Sequence, residues 1–146
     1  MNLLNRLRDL FESPAADSGE PPALELATAM LLYEVVWADH EVTPEEREQM
    51  RGALSRTLHL SMDEADTVAR DAEARQAEHV GVFEYTRLVN EHTNAEEKFE
   101  LVTNLWRVAF ADGTASAIEE HIIRRISELL YLPHTDFIRA KQIARS

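Results

Sequence analysis

The most constraining feature of the sequence is an internal duplication. Residues 33–58 and 106–131 align at a constant offset of 73 without a gap. The matched positions pair Ala38-Asp39 with Ala111-Asp112, Thr43 with Ser116, Glu46 with Glu119, and Met50 and Ala53 with Ile123 and Ile126. Each copy has the sequence pattern of an apolar helix, an Ala-Asp corner, a capped helix and a third helix. The pattern predicts two pseudo-equivalent helical units packed around one core.

Composition favours an all-α fold for these units. The 146 residues suit one domain, and they include only four Gly and five Pro beside many good helix formers. There is no cysteine, which excludes a disulfide framework and a thiolate metal site. We therefore predict a single helical domain of about seven to eight helices.

The N-terminal segment is predicted to differ from the rest of the chain. Residues 1–12 have apolar side chains at the three- and four-residue spacing of an amphipathic helix, and residues 13–22 have linker composition. The apolar stripe packs on the domain in one interpretation. In the other, residues 2–11 contact a protein partner or lie as a peripheral helix on a membrane surface.

The remaining residues, 23–146, are predicted to form the helical domain. Repeat one covers about residues 24–76, a connector helix about 82–90, and repeat two about 95–145. Capping boxes, in which a Ser or Thr is followed three residues later by Glu, mark four helix starts. The predicted boxes are Thr43 with Glu46, Ser61 with Glu64, Thr93 with Glu96, and Ser116 with Glu119.

The corner sequence "FADGTASAIEE", residues 110–120, resembles the second half of a calcium-binding loop. Asp112, Gly113 and Glu119 have the spacing of positions 5, 6 and 12 in an EF-hand loop. Positions 1 and 3 would then fall on Val108 and Phe110, whose side chains offer no oxygen. The first copy has the same deficiency, so neither corner is an EF-hand.

A weaker cation site would arise if the two corners meet. Its carboxylates suit a hard divalent cation, with calcium, magnesium, manganese and zinc as the candidates. The candidate ligands are Asp39, Glu46, Asp112, Glu119 and Glu120. In the alternative interpretation both glutamates only cap helices and both aspartates only turn the chain.

Charge and motif content exclude several functional classes. The net charge of -12 disfavours nucleic acid, whose binding depends on Lys and Arg. The charge is uneven: residues 1–120 carry 10 basic and 25 acidic side chains, whereas residues 121–146 carry five basic and two acidic. In one interpretation the basic end meets an acidic partner, and in the other it is a solvated basic face on an acidic protein.

No enzymatic or targeting motif emerges from the sequence. Hydrolase, phosphate-loop and di-iron motifs are missing, and His121 and His134 fit no catalytic pattern, so we expect a non-enzyme. The chain has no apolar run long enough to span a membrane and no signal peptide, which favours the cytoplasm. The oligomeric state is not predicted.

Residues 105–141, "LWRVAFADGTASAIEEHIIRRISELLYLPHTDFIRAK", resemble the TerB family of tellurite-resistance proteins. "WADHEVTPEE" is similar to the first copy of the family's Ala-Asp-Gly motif, with His40 in place of glycine. The resemblance implies an all-helical two-repeat fold, a stress-response role and an acidic metal-binding cluster at Asp39, Glu46, Asp112 and Glu119.

Two functional hypotheses follow. The first is a noncatalytic cytoplasmic TerB-like module that binds a divalent cation at its acidic corners and also binds a protein partner. The second is a purely structural interaction domain without metal, which docks through its N-terminal amphipathic helix and basic C-terminal face.

Overall fold

A computed structural model describes residues 24–38, 42–75, 82–111 and 113–146. This part of the chain forms seven helices and no strand, which confirms the all-α prediction. The helices are α1 Leu24–Val36, α2 Pro44–Leu58, α3 Met62–Arg75, α4 Val82–His92, α5 Ala95–Ala109, α6 Ala117–Leu129 and α7 His134–Arg145. The predictions for residues 1–12 and 13–22, and the side chains of Asp39 and Asp112, lie outside the described residues.

Helix packing matches the predicted duplication for the first two helices of each unit. Helices α1 to α3 form one unit, α5 to α7 form the other, and α4 joins them. The two central helices, α1 and α5, pack on each other, while α1 also contacts α6 and α5 also contacts α2. Because α1 is equivalent to α5 and α2 to α6, the contact of α1 with α6 is equivalent to the contact of α5 with α2. The first two helices of each unit are therefore equivalent in packing, whereas the third helices differ, because α3 packs mainly on α2 and α7 packs mainly on α5.

Equivalent aromatic pairs lie at the ends of the two central helices. Tyr33 and Trp37 stack on α1 and its end, with ring centroids 6.3 Å apart. Trp106 and Phe110 stack at the positions 73 residues later, with centroids 5.6 Å apart. The two residues of each pair are four positions apart in the sequence, which places their rings on the same face of the helix.

The corner before the third helix is also repeated. His59 and Tyr131 are the non-glycine residues with positive φ in the described chain, at 58° and 59°. Each follows the second helix of its unit and turns the chain into the third. Because His59 and Tyr131 occupy the same rare backbone region, we treat them as equivalent positions. The residue offset between the repeats is therefore 73 before this corner and 72 after it, in α3 and α7.

The core lies between the two central helices. In α1, Met30, Leu31 and Leu32 are fully buried, and so are Leu105 and Trp106 in α5. A helix that buries consecutive residues must be covered on several sides, here by neighbours from both units. Two acidic residues, Glu46 and Glu119, are also buried.

Three of the four predicted capping boxes are confirmed. Thr43 with Glu46 and Ser116 with Glu119 start α2 and α6, and Ser61 with Glu64 makes both reciprocal bonds before α3. The prediction of Thr93 with Glu96 is wrong by one residue, because Asn94 and Glu97 form the box that starts α5. The Thr93 hydroxyl instead donates to the carbonyl of Val89, 2.6 Å away at the end of α4.

No helix in the described segments is both long enough and apolar enough to cross a membrane.

Candidate functional site

The two Ala-Asp corners lead into helices with the same cap geometry. At α2, the Glu46 backbone N–H donates to Thr43 Oγ1 at 3.1 Å, and the Thr43 N–H donates to Glu46 Oε1 at 2.9 Å. At α6, the corresponding Ser116 and Glu119 bonds measure 3.1 and 2.8 Å. Each glutamate is the third residue of its helix, where the N-terminal partial charge favours a carboxylate.

These two capping glutamates differ from ordinary caps in their burial. Glu46 is 3% exposed and Glu119 is 5% exposed. Their carboxyl groups lie within hydrogen-bonding reach of each other. The capping residue Glu97, by contrast, is exposed at the start of α5. Capping alone therefore does not require a buried glutamate, and the pair forms a carboxyl–carboxyl contact between the repeats.

The contact changes the acidity of Glu119. Burial, with a smaller contribution from the neighbouring Glu46 carboxyl, raises the pKa of Glu119 to about 7, while the hydrogen bonds with Ser116 oppose the shift. The described groups that set this pKa include no lysine or arginine. Because ionised Glu119 would be buried beside a second carboxyl group, Glu119 keeps its proton in a large fraction of the molecules near neutral pH.

Glu120 makes a separate contact. Its Oε1 accepts a hydrogen bond from Lys141 Nζ at 3.0 Å, which links α6 to α7. The same ammonium group lies 5.0 Å from the centre of the Trp106 ring. Glu120 is thus held in an ion pair beside the carboxyl pair.

The predicted ligand set is only partly described by the structure. Glu46 and Glu119 come together, Glu120 is paired with Lys141, and Asp39 and Asp112 lie outside the described residues. Within the described segments, no three His, Cys, Asp or Glu side chains form a group that could hold a metal. A divalent cation at this contact would thus draw on Glu46 and Glu119 and need further ligands.

The carboxyl pair fits a hard cation in its donor chemistry. Both side chains supply oxygen, the ligand atom that calcium, magnesium and manganese prefer. One oxygen of each carboxyl group, Oε1, accepts the cap hydrogen bond, and the second oxygen is not needed by the cap. Among the described residues, no basic side chain contributes to the pKa of Glu119.

The two candidate histidines lie on the surface. His121 and His134 are both exposed. The His134 ring stacks on Phe137, with centroids 5.7 Å apart. This contact gives His134 a packing role at the start of α7.

The sequence interpretation missed a cleft of about 280 Å³ between α1, α2 and α3. Its charged lining comes from Arg47, Glu48 and Arg51 on α2 and from Asp66, Arg70 and Glu73 on α3. The sequence does contain a pattern for this cleft, because the charged residues of α2 and those of α3 each recur at the three- and four-residue spacing of one helix face. Such faces usually meet solvent, and only the packing of α3 on α2 turns them toward each other.

The fold and the site define a duplicated all-α domain whose repeats meet at a buried pair of carboxyl groups. The family model for tellurite resistance protein TerB matches residues 25–142, which is most of the chain. The chain belongs to the TerB family, as the motif at residues 105–141 predicted. No curated protein and no solved structure matches the chain.

Proposed function

We propose that the chain is a noncatalytic cytoplasmic TerB-like module of a stress response, of the tellurite-resistance type. In this proposal it binds a divalent cation weakly between its two repeats and also binds a protein partner. The observation that carries the cation site is the contact between the buried carboxyl groups of Glu46 and Glu119.

The physical argument is one of uncompensated charge. Burying a carboxylate is costly unless it is paired, and a second carboxylate beside it adds repulsion. A proton on Glu119 removes part of that cost at low pH. At neutral pH and above, a divalent cation would remove more, because it neutralises both groups at once and bonds to oxygen.

Cation binding at this place would link the two repeats. Glu46 belongs to α2 of the first unit and Glu119 to α6 of the second. Asp39 and Asp112 each precede the paired glutamate by seven residues in the sequence and are the further candidate ligands. An ion held by both units would fix their relative position and so the surface that a partner meets.

The noncatalytic part of the proposal rests on residue chemistry. The sequence carries no nucleophile motif, phosphate loop or paired histidine motif. Each of the two buried glutamates is already committed to a helix cap through one oxygen.

The test is thermal unfolding of chelator-treated protein with calcium, magnesium, manganese or zinc added in turn at pH 7.5. A ligand that binds only the folded state stabilises it by about 2.7 kcal/mol at one hundred times its dissociation constant, which is a shift of several degrees. The informative variant is Glu119→Gln, because glutamine still accepts the cap hydrogen bond but carries no charge. The matched control is Glu97→Gln, which makes the same change in an exposed capping box.

A shift with one metal in the wild type and in Glu97→Gln, together with its loss in Glu119→Gln, supports the cation site. If no metal shifts the wild type, the cation site is excluded. Equal shifts in all three proteins would place the bound ion elsewhere.

The alternative function is a metal-free interaction domain that docks through residues 2–11 and the basic C-terminal face. One observation favours it: on α7, Ile138 and Ile143 are exposed near the C-terminal basic residues Arg139 and Arg145. Deleting residues 1–20 discriminates between the two functions. Lost partner or membrane association with an unchanged response to metal favours the alternative.

A further inference from the structure

A small groove lies where the first described helix begins. It has a volume of about 90 Å³ and is lined by residues of α1, α2, α4 and α5. Leu24, the first residue of α1, and Leu58, the last residue of α2, line the groove and are only half-buried. The groove therefore leaves apolar surface open to water at a place where helices of both repeats meet.

The threonines of the groove have their hydroxyl groups engaged within the domain. The hydroxyl of Thr28 donates to the carbonyl of Leu24 at 2.9 Å, and that of Thr93 donates to a carbonyl at the end of α4 at 2.6 Å. The hydroxyl of Thr57 accepts a hydrogen bond from Asn104 at 2.8 Å. Because these groups are already hydrogen-bonded, the groove suits an apolar side chain. Its volume equals that of about three water molecules at roughly 30 Å³ each, which is room for one aliphatic side chain.

The rim of the groove is acidic. Glu97 and Glu100 line it, are exposed, and lie three residues apart on one face of α5. The described lining residues include no lysine or arginine. One oxygen of Glu97 accepts the cap bond of α5, and the Glu100 carboxylate makes no hydrogen bond or ion pair with the described residues. The groove thus combines apolar walls with negative charge that no basic group of its lining neutralises.

The segment of residues 2–11, here called the N-terminal arm, has the complementary chemistry. Its sequence predicts an amphipathic helix, with Leu7 in the middle of the apolar stripe. Arg6 and Arg8 precede and follow Leu7, so on a helix of about 3.6 residues per turn they lie about 100° to either side of it. Arginine side chains can pass along apolar surface and keep their charge at its edge. The arm would therefore present a leucine between two positive charges.

The groove is within reach of the arm. Residues 12–23 connect the arm to Leu24, and these 12 residues span up to about 40 Å when extended. Because Leu24 itself lines the groove, the connection is long enough for the arm to return to it. A segment on a short flexible linker has an effective concentration on the order of 1 mM, so a weak contact suffices to keep it docked.

Two other clefts fit the arm less well. The cleft of about 280 Å³ between α1, α2 and α3 is lined by three arginines. A third cleft, of about 210 Å³ at the corner of repeat two, is lined by Lys141 and Arg145. These basic side chains would repel Arg6 and Arg8, whereas the glutamates of the groove attract them.

We propose that the N-terminal arm docks on this groove of its own chain. Leu7 fills the groove beside Leu24 and Leu58, and the two flanking arginines pair with the two glutamates of the rim. The docked arm covers apolar surface that α1 and α2 leave open. The arm cannot bind a partner or a membrane at the same time, so docking opposes the contact that the alternative function assigns to residues 2–11.

The inference goes beyond the proposed function and is independent of the cation site. Metal-dependent unfolding tests the carboxyl pair, whereas docking of the arm is measured without metal. Failure of one therefore leaves the other standing.

The experiment measures how close the arm lies to the groove in the full-length, isotope-labelled, chelator-treated protein by NMR. The chain has no cysteine, so Asn2→Cys provides a single thiol for a nitroxide spin label. The unpaired electron broadens the amide signals of nearby residues. We expect selective broadening of groove residues such as Leu58 and Thr93, and its disappearance when the nitroxide is reduced.

Two variants of the labelled arm test the apolar contact. Leu7→Asp puts a charge on the side chain that enters the groove and should lower the docking equilibrium constant about tenfold or more. Asn5→Asp adds the same charge on the opposite face of the predicted helix and should leave the broadening unchanged.

A charge exchange tests the acidic rim. Arg8→Glu and Glu100→Arg each bring like charges together, and each should lower the docking constant by about threefold. The two substitutions in one chain restore an opposite pair and should recover the broadening. A general structural effect of either substitution would not be reversed by the other.

Three results overturn the inference. The first is broadening that is absent from the groove or spread evenly over the domain. The second is equal broadening of groove signals in Leu7→Asp and in the wild-type arm. The third comes from mixing spin-labelled protein with isotope-labelled protein that carries no spin label: groove broadening as strong as in the single chain would show that the arm docks on a second copy.

Discussion

Glu46 and Glu119 occupy equivalent positions in the two repeats, and their carboxyl groups face each other in the protein interior. Each carboxyl group caps its own helix through Oε1 and contacts the other repeat. The start of α2 and the start of α6 are thereby coupled, since any charge that develops on one carboxyl group acts on the other. The protonation of Glu119 is consequently a property of the junction between the repeats.

The first prediction concerns pH. Burial raises the pKa of Glu119 from its ordinary value of 4.5 to about 7, so between these values the folded state holds a proton that the unfolded chain releases. Stability from this group is complete below about pH 4.5 and is lost as the pH rises through 7. We expect the metal-free protein to lose on the order of 2 kcal/mol of unfolding free energy between pH 5 and pH 8. Urea unfolding at pH steps measures the change.

The control for this pH dependence is a pair of glutamine variants. Glu119→Gln removes the titrating group and retains the cap acceptor, so its stability should vary less with pH than that of the wild type. Glu97→Gln alters an exposed cap and should keep the wild-type dependence. The same slope in both variants would assign the pH dependence to the general repulsion of an acidic protein.

The second prediction separates the capping role of Ser116 from its effect on Glu119. Ser116→Ala removes the hydroxyl that accepts from the Glu119 N–H, which should cost about 1 kcal/mol. The same hydroxyl lowers the pKa of Glu119, so its removal should also move the pH midpoint of stability upward. Unfolding curves across pH measure both effects.

Ser61→Ala provides the comparison, because Ser61 caps α3 through the same reciprocal bonds with Glu64. It should cost a similar free energy without moving the pH midpoint. An unmoved midpoint in Ser116→Ala would show that the hydroxyl acts only as a cap.

Much of the fold could be predicted from the sequence, because its determinants are local. The cap residues Thr43 and Ser116, each followed by a glutamate at the third helical position, locate two helix starts without tertiary information. The misplaced box at Thr93 marks the limit of this approach. Both Thr93 and Asn94 can cap a helix, and the choice depends on the bond of the Thr93 hydroxyl to the preceding helix.

The site could be predicted only in part, because its chemistry depends on contacts between the repeats. The offset of 73 identifies Glu46 and Glu119 as equivalent, yet equivalence does not imply contact. Their contact depends on the crossed packing of α1 on α6 and of α5 on α2. Glu120 follows Glu119 in the sequence, but the helix turns it toward Lys141.

The third prediction concerns the strained corner at Tyr131. This residue has a φ of 59° and its side chain is 81% exposed, so the strained backbone is combined with little side-chain packing. Tyr131→Gly should stabilise the protein by about 0.5–1 kcal/mol, because glycine adopts this conformation without the steric cost. Tyr131→Ala keeps the Cβ and should give no gain. Thermal unfolding compares the two, and equal effects would show that the corner stores no backbone strain.

The fourth prediction concerns Phe137, which fixes α7 to the core. Its side chain is 2% exposed and its ring centroid lies 5.3 Å from that of Trp106. The equivalent residue in repeat one is Ala65, so repeat one has no aromatic side chain at this position. Phe137→Ala should cost about 3–4 kcal/mol, because α5 and α7 meet around this ring and the void would remain unfilled.

The neighbouring Ile138 is the control for this substitution, since it is the next residue of α7 and is 36% exposed. Ile138→Ala should cost well under half as much in urea unfolding, because a partly exposed side chain loses less buried area and leaves no cavity. Similar losses of unfolding free energy in the two variants would mean that contacts along the whole of α7 bind it to the core, and not mainly the aromatic contact. A large cost at Phe137 alone would show that repeat two depends on the Trp106–Phe137 contact, which repeat one lacks.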